Sequence, residues 1–236
     1  MKLQLVIRRA PAKAALDWLK QGWLLMRGQL LLLLMFWLML SVSLLGMIHP
    51  LLAVISTLLS PFLMAGFYDG IVRAQQQKPL QLSTLWQPLK DSQHRAAFIR
   101  LAALNILFSI PSQLLIQQQM PLWEAGQADL LALFALVAMA AINAMLFAYA
   151  VPVIYFLREQ RLWPVLQASF MACWRNVPAL TVYGVLSVLL ILTGPFTMMI
   201  SLILILPWLA ISFFLSFREF FVLTPARPDE AAVFEV

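Results

Sequence analysis

One cysteine, Cys173, and two histidines, His49 and His94, are all that this chain of 236 residues offers to a soft metal or a redox pair. A lone thiol rules out an internal disulfide and any cage built from cysteines. The two histidines fall on opposite sides of the arrangement derived below, so they do not share a haem. Charge is also scarce: 11% of residues are charged and 63% hydrophobic, too little polar surface for a water-soluble domain of this length. No glycine-rich phosphate loop, HExxH, GxSxG or carboxylate pair deep in an apolar segment occurs. An enzyme acting on lipid needs a positioned acid, base or metal ligand, and none here has a partner. The expectation is a non-enzymatic membrane protein without cofactor or metal. Arg8 and Arg9 follow a short apolar run with no small-residue cleavage site after it, so no removable signal peptide is expected.

What the chain does have is long apolar runs, each introduced by a mixed segment. From Pro11 to Arg27, Lys13, Asp17, Lys20 and Arg27 recur at helical spacing, with Leu16, Leu19, Trp23 and Met26 on other faces. That is the pattern of a helix lying in a membrane interface. Gly28 to Ile48 carries no charge, and at about 1.5 Å per residue it reaches roughly 30 Å, the hydrocarbon thickness. Further spans are expected over 51–71, 96–116, 130–156, 177–193 and 196–217. A second in-plane helix is expected through Leu82, Leu85, Trp86 and Leu89, with Pro88 kinking or opening it. A third runs from Pro164 through Leu166, Phe170 and Trp174 to Arg175. The fold class is therefore all-α: one transmembrane domain over residues 1–223 with six spans and two or three interfacial helices. Met1 to Ala10 reads as a short lead-in and 224–236 as a disordered tail.

The distribution of basic residues sets the orientation. All sixteen lysines and arginines fall before the first span, between the second and third or, for Arg100, in the opening turns of the third, between the fourth and fifth, or after the sixth. The other side holds only Glu124 and Asp129, so both termini are expected in the cytoplasm of a bacterial inner membrane, with a loop from Gln117 to Asp129 outside. Dispersed in this way, the cations suit anionic headgroups on the cytoplasmic side, and nucleic acid is not an expected partner. Other membrane subunits or a second copy of the chain are.

Each mixed segment turns into the bilayer at a tryptophan and an arginine, Trp23 with Arg27, Trp86 with Arg95 and Trp174 with Arg175, and these six are the expected anchors. Each second span ends in an acid near an arginine: Asp69 with Arg73, Glu159 with Arg158, Glu219 with Arg218. A threefold repeat of an in-plane helix and a hairpin explains this, but so does the interface itself, which collects Trp and Arg in any such hairpin. Gly22-Trp23 leading to Arg27, Pro61-Phe62-Leu63-Met64-Ala65-Gly66, and Lys78-Pro79-Leu80 give the chain a resemblance to uncharacterised bacterial six-helix inner-membrane proteins such as YciC. They also make it similar to the membrane domain that precedes some glycerophosphodiester phosphodiesterases. The resemblance implies a six-helix membrane domain; it carries over no catalytic residue, and no soluble phosphodiesterase domain is present.

A few polar and small residues within the spans stand out. Asp69 and Arg73 are spaced for a local ion pair. Gly66 and Gly70 form a GxxxG motif, and Ala128, Ala132, Ala140, Ala144 and Ala148 form a small-residue stripe, both suited to close helix packing. Asn105, Gln113 and Asn143, with Asp69, are either structural amides and carboxylates or the lining of a polar pathway, with Pro111 and Pro152 breaking the helices. His49 reads as a solvated turn residue, with a proton-sensitive group as the alternative. Cys173 reads as an unmodified interfacial thiol, with acylation as the alternative. The functional expectation is an accessory, scaffold or lipid-organising protein, against a small-solute or lipid transporter. A topology reporter fused between Gln117 and Asp129 is expected to read the compartment opposite to one fused after Pro225; the same compartment for both would overturn the orientation.

Overall fold

The computed structural model describes residues 3–46, 48–127 and 129–225. Met1, Lys2, Met47, Ala128 and the tail from 226 to 236 lie outside them. The described chain is helical, with one two-stranded sheet. Five of its helical segments are long and apolar enough to cross a membrane, six when a bent pair at the start is counted as one span.

That bent pair is α1 (Ala14–Gly28) and α2 (Leu30–Leu45), which meet at 101°. The corner is Gln29, whose φ of −142° and ψ of 77° leave the helical region. Asp17 in the first turn and Arg27 in the last complement the dipole of α1. The face that α1 buries is Ala14, Ala15, Trp18, Leu19, Gly22 and Met26. It packs on helix α10 (Leu202–Phe220) and on α9 (Val177–Ile191). Protein therefore covers much of the apolar face that an interfacial helix would turn to lipid, while Leu16 and Leu24 stay exposed. Gly22 is needed there, because a Cβ would run into the Ser212 side chain.

Helix α3 (Pro50–Gln75) returns alongside α2, its N-terminus capped by His49, whose Nδ1 accepts from the Leu51 N–H at 3.2 Å. That gives the turn histidine a structural task. The expected second in-plane helix is instead a 3₁₀ stretch, Leu82–Trp86, followed by the single turn α4 (Gln87–Lys90), with Pro88 in its first turn. Gly66 explains where this segment sits: a Cβ on it would lie 2.7 Å from the Leu85 Cα. At Gly70 a Cβ would meet the Met35 Cε at 2.8 Å. The GxxxG motif thus seats the 3₁₀ backbone and an α2 side chain, rather than bringing two membrane helices together at both positions.

Helix α5 (Ser92–Glu124) is capped by Asp91, which accepts from the Gln93 N–H at 2.9 Å, and it does not stop at Ile116. Glutamine favours helix, so Gln117 to Glu124 continues it, and the expected outer loop shrinks to the turn before Asp129, with Gly126 at a φ of 71°. Asp129 caps α6 (Leu130–Phe147) by accepting from the Leu131 N–H at 2.9 Å. The expected fourth span holds as one apolar helical segment, Leu130–Leu157, interrupted only at Ala148 and Tyr149, after which α7 (Ala150–Leu157) carries it on. Pro152 is the cause, since it has no N–H to offer the Ala148 carbonyl and its ring crowds that group. The Ser169 hydroxyl fills the gap, accepting from the Tyr149 N–H at 3.0 Å and donating to the Met145 carbonyl at 2.8 Å.

Ser169 belongs to α8 (Leu162–Arg175), the third expected in-plane helix, which α9 follows at Asn176. After α9 the chain does not re-enter a helix at Phe196. A 3₁₀ turn, Pro195–Thr197, and left-handed backbone at Met198 and Met199 intervene, so the last long helix, α10, starts at Leu202. Its C-terminus runs straight into β2 (Phe221–Pro225), which pairs antiparallel with β1 (Leu3–Ile7), Leu3 opposite Pro225 and Ile7 opposite Phe221. Leu3–Ile7 of the lead-in and the first two residues of the expected tail are therefore in strands, which hydrogen-bond to each other. The signal was present in the β-branched and alternating apolar residues of Leu3 to Ile7 and Phe221 to Thr224.

The core gathers around α10. Tyr68 stacks on Phe214 with centroids 4.5 Å apart, and Tyr149 stacks on Phe213 at 5.1 Å. The Tyr149 hydroxyl reaches Ser216 Oγ at 2.7 Å. Trp18 packs edge-on to Phe220 and donates its indole N–H to Glu219 Oε2 at 2.5 Å. A buried amide closes the assembly. Asn176 accepts from the Ala10 N–H at 2.7 Å and donates to the Arg8 carbonyl at 3.1 Å and the Ala172 carbonyl at 2.9 Å. Replacing Asn176 with alanine strands buried donors and acceptors and is expected to cost about 1–3 kcal/mol, read as a lower unfolding temperature in detergent; an unchanged midpoint would show that water replaces the amide.

Candidate functional site

Three adjoining cavities run along α3. The largest, about 490 Å³, lies between α2, α3, the α6–α7 break, α9 and α10, and Phe36, Met64, Phe67, Tyr183 and Phe213 form much of its wall. Its volume is within the range of about 300–1,000 Å³ typical of small-molecule sites. Tyr183 holds one side, its hydroxyl donating to the Leu209 carbonyl at 2.6 Å. The α6–α7 break admits the cavity from another side, because Phe147 and Ala148 stand at it.

A second cavity of about 150 Å³ shares Met64 and Phe147 with the first and adds Thr57, Ser60, Pro61 and Asn105. A third, about 270 Å³, shares Thr57 and Ser60 with the second and reaches Ser43, Gly46, Ala53 and Ser56 near the α2–α3 turn. Polar atoms thus concentrate at one end of the row and rings at the other. Three of the hydroxyls already donate to backbone, Ser43 to the Met39 carbonyl at 3.3 Å, and Ser56 to the Val42 carbonyl and Thr57 to the Ala53 carbonyl, both at 2.8 Å. Pro61 has no N–H, so the Thr57 carbonyl lacks the donor that an unbroken helix would give it. A helix facing hydrocarbon has little tolerance for that, and a cavity or a partner is where it is met.

Of the expected polar pathway, Asn105 alone lines one of these cavities. Gln113 is exposed and Asn143 half-buried, and both lie on other walls. Asp69 is paired with Arg73 at 2.8 Å, and Arg73 also donates to Gln87 Oε1 at 2.8 Å, which ties α3 to α4. The other two expected acid–arginine neighbours do not pair as sequence neighbours: Glu159 takes Arg161 at 2.9 Å, and Glu219 takes Trp18. Ala132 is buried, Ala148 half-buried, and Ala140 and Ala144 exposed, while Ala144 and Ala148 line a hollow against Cys173 of α8 and Tyr183 of α9. Ser56, Thr57 and Ser60 were not singled out in the sequence. Their spacing of i, i+1 and i+4 on an otherwise apolar span is the signal that marks them.

The anchors separate. Trp174 is 67% exposed and Trp86 38%, whereas Trp23 is packed against Trp208 with centroids 5.2 Å apart. Arg27, Arg95 and Arg175 are exposed. Trp163, 76% exposed, joins Trp174 on the outer face of α8. Cys173 is buried on the other face, and burial pushes its thiol up to about 12, which does not suit acylation. Among the described residues no group of three or more His, Cys, Asp or Glu stands where it would hold a metal ion.

One further polar pair lies near the α4–α5 corner. Asp91 Oδ2 meets Nδ1 of the buried His94 at 2.7 Å, beside the Tyr155 ring. With the geometry in view, comparison with known proteins adds no kinship: no family model, curated protein or solved structure matches this chain.

The Gln93 N–H, then the His94 ring, holds the Asp91 carboxyl below its usual range. A carboxyl whose pKa is lower folded than unfolded stabilises the fold above the unfolded value, about 3.9, and loses that contribution as pH falls through the folded one. Asp91→Ala is accordingly expected to cost about 1 kcal/mol near pH 6, mostly as a lost helix cap, and less as pH drops below 4, measured as the gap in unfolding temperature between the two proteins; a gap independent of pH would overturn this.

Proposed function

We propose that this chain is a non-enzymatic bacterial inner-membrane protein that holds or organises lipid, with both termini in the cytoplasm, and acts as an accessory part of a larger membrane assembly or as a homo-oligomer. The observation that carries the reading is the central cavity. It is large, lies among the apolar helices and is walled mostly by aromatic and aliphatic side chains, with Ser187 and two tyrosines as its polar groups and no charged side chain on its lining. Such a space excludes water and charged solutes and suits hydrocarbon. The exposed Trp163, Trp174 and Arg175 support it, since a helix with tryptophans and a cation on its outer face suits the headgroup layer. On this reading α1, the 3₁₀–α4 segment and α8 are three versions of one unit, each a short element turning into a hairpin. The likeness to YciC-type proteins belongs to the same proposal.

A transporter is the second reading, favoured by the prolines inside α3, α5 and α10 and by Asn105 beside the Thr57 carbonyl. The two separate on one preparation. Ala210→Trp places an indole in the central cavity, and it is expected to reduce the lipid that copurifies with the protein severalfold while leaving helical content unchanged. Equal lipid in both proteins would sink the lipid-holding reading. Reaction of cysteines placed at Asn105, Gln113 and Asn143 with a water-soluble thiol reagent would favour the transporter.

A further inference from the structure

We infer that the three adjoining cavities form one site for a single lipid whose head is uncharged and bears hydroxyl groups, of the monoacylglycerol or diacylglycerol class, with its head by Ser60 and Asn105 and its chain in the central chamber. This rests on the lipid-holding reading above and specifies what is held. Continuity comes first: Thr57 and Ser60 line both smaller cavities, and Met64 and Phe147 line both the middle and the largest. The length fits next. From Ser56 to Tyr68 is twelve residues of α3, about 18 Å at 1.5 Å per residue, which spans both the polar end and the ring-lined chamber.

The polarity selects the head. Ser56, Thr57, Ser60 and Asn105 line the polar end, where Pro61 leaves the Thr57 carbonyl without its helical donor, and no charged side chain lines any of the three cavities. A phosphate placed there would leave its charge unpaired in a low-dielectric site, at a cost far above that of a hydroxyl. A hydroxyl both donates and accepts, so it satisfies a freed carbonyl and an amide together. The aromatic chamber beyond takes the chain without polar demands.

The test uses the full chain in a mild detergent, incubated with an equal mixture of 1-monooleoylglycerol and phosphatidylglycerol, with retained lipid read by native mass spectrometry. Wild type is expected to retain the monoacylglycerol about tenfold over the phospholipid. Asn105→Leu is expected to erase about tenfold of that preference, the worth of one or two buried hydrogen bonds. Ser60→Ala, a milder change, is expected to lower it severalfold, and Ala210→Trp to remove both lipids. Retention of both lipids in equal amounts, or a preference untouched in Asn105→Leu and Ser60→Ala, would overturn the assignment of the head while leaving the lipid-holding reading intact. Retention of neither lipid by wild type would overturn both.

Discussion

A backbone N–H or C=O inside hydrocarbon finds only protein to bond to, and several irregular places among the described residues meet their backbone groups with a particular side chain or strand. Where Pro152 interrupts the α6–α7 span, Ser169 bridges Tyr149 and Met145 from a neighbouring helix. Where α8 turns into α9, Asn176 satisfies Ala10, Arg8 and Ala172 with one side chain. At the two ends, strands pair with each other instead of fraying. The helices could be written in many apolar sequences, but their breaks could not. Small polar residues at chosen points hold the bends that make room for a cavity.

The same constraint explains why the site lies along α3. Pro61 weakens the helix ladder just where Ser60, Thr57 and Asn105 converge. Elsewhere the chain removes its polar demands by local bonds, as when Ser187 donates to the Tyr183 carbonyl at 2.8 Å. Beside Pro61 an acceptor remains for something else. The apolar chamber has another character: the rings of Phe36, Phe67 and Phe213 wall it, with Phe147 and Ala148 at the α6–α7 interruption on another side.

α1 shows how a mixed pattern is divided between protein and membrane. Its charged residues stay outside, as spacing suggests, but Trp18 and Leu19 dock on the protein, and Trp23 stacks on Trp208. The dock is tight because Gly22 lets Ser212 approach. A side chain's preference for an apolar surface does not say whose surface it will be. Hydropathy counts lipid and core alike, and burial by α10 wins here because a preformed helix face of complementary shape adds packing contacts that fluid lipid lacks.

The amino-acid sequence by itself determined the solvent, the helical class, the approximate position of the apolar segments, the corner near Arg27 and the Asp69–Arg73 pair, because these follow from composition, length and spacing within one element. It did not disclose the β1–β2 clasp, the extension of α5 through Gln117 to Glu124, the late start of α10 or the true partners of Glu159 and Glu219. Those depend on residues far apart in the chain meeting in space, as Trp18 meets Glu219 and Asn176 meets Ala10. The candidate site was half legible. Asn105 stood out as an amide in an apolar run, whereas Ser56, Thr57 and Ser60 looked like ordinary helix hydroxyls until α5 and α7 were packed against them. A cavity is the space that several helices leave between them, and a periodicity read along one helix at a time does not contain it.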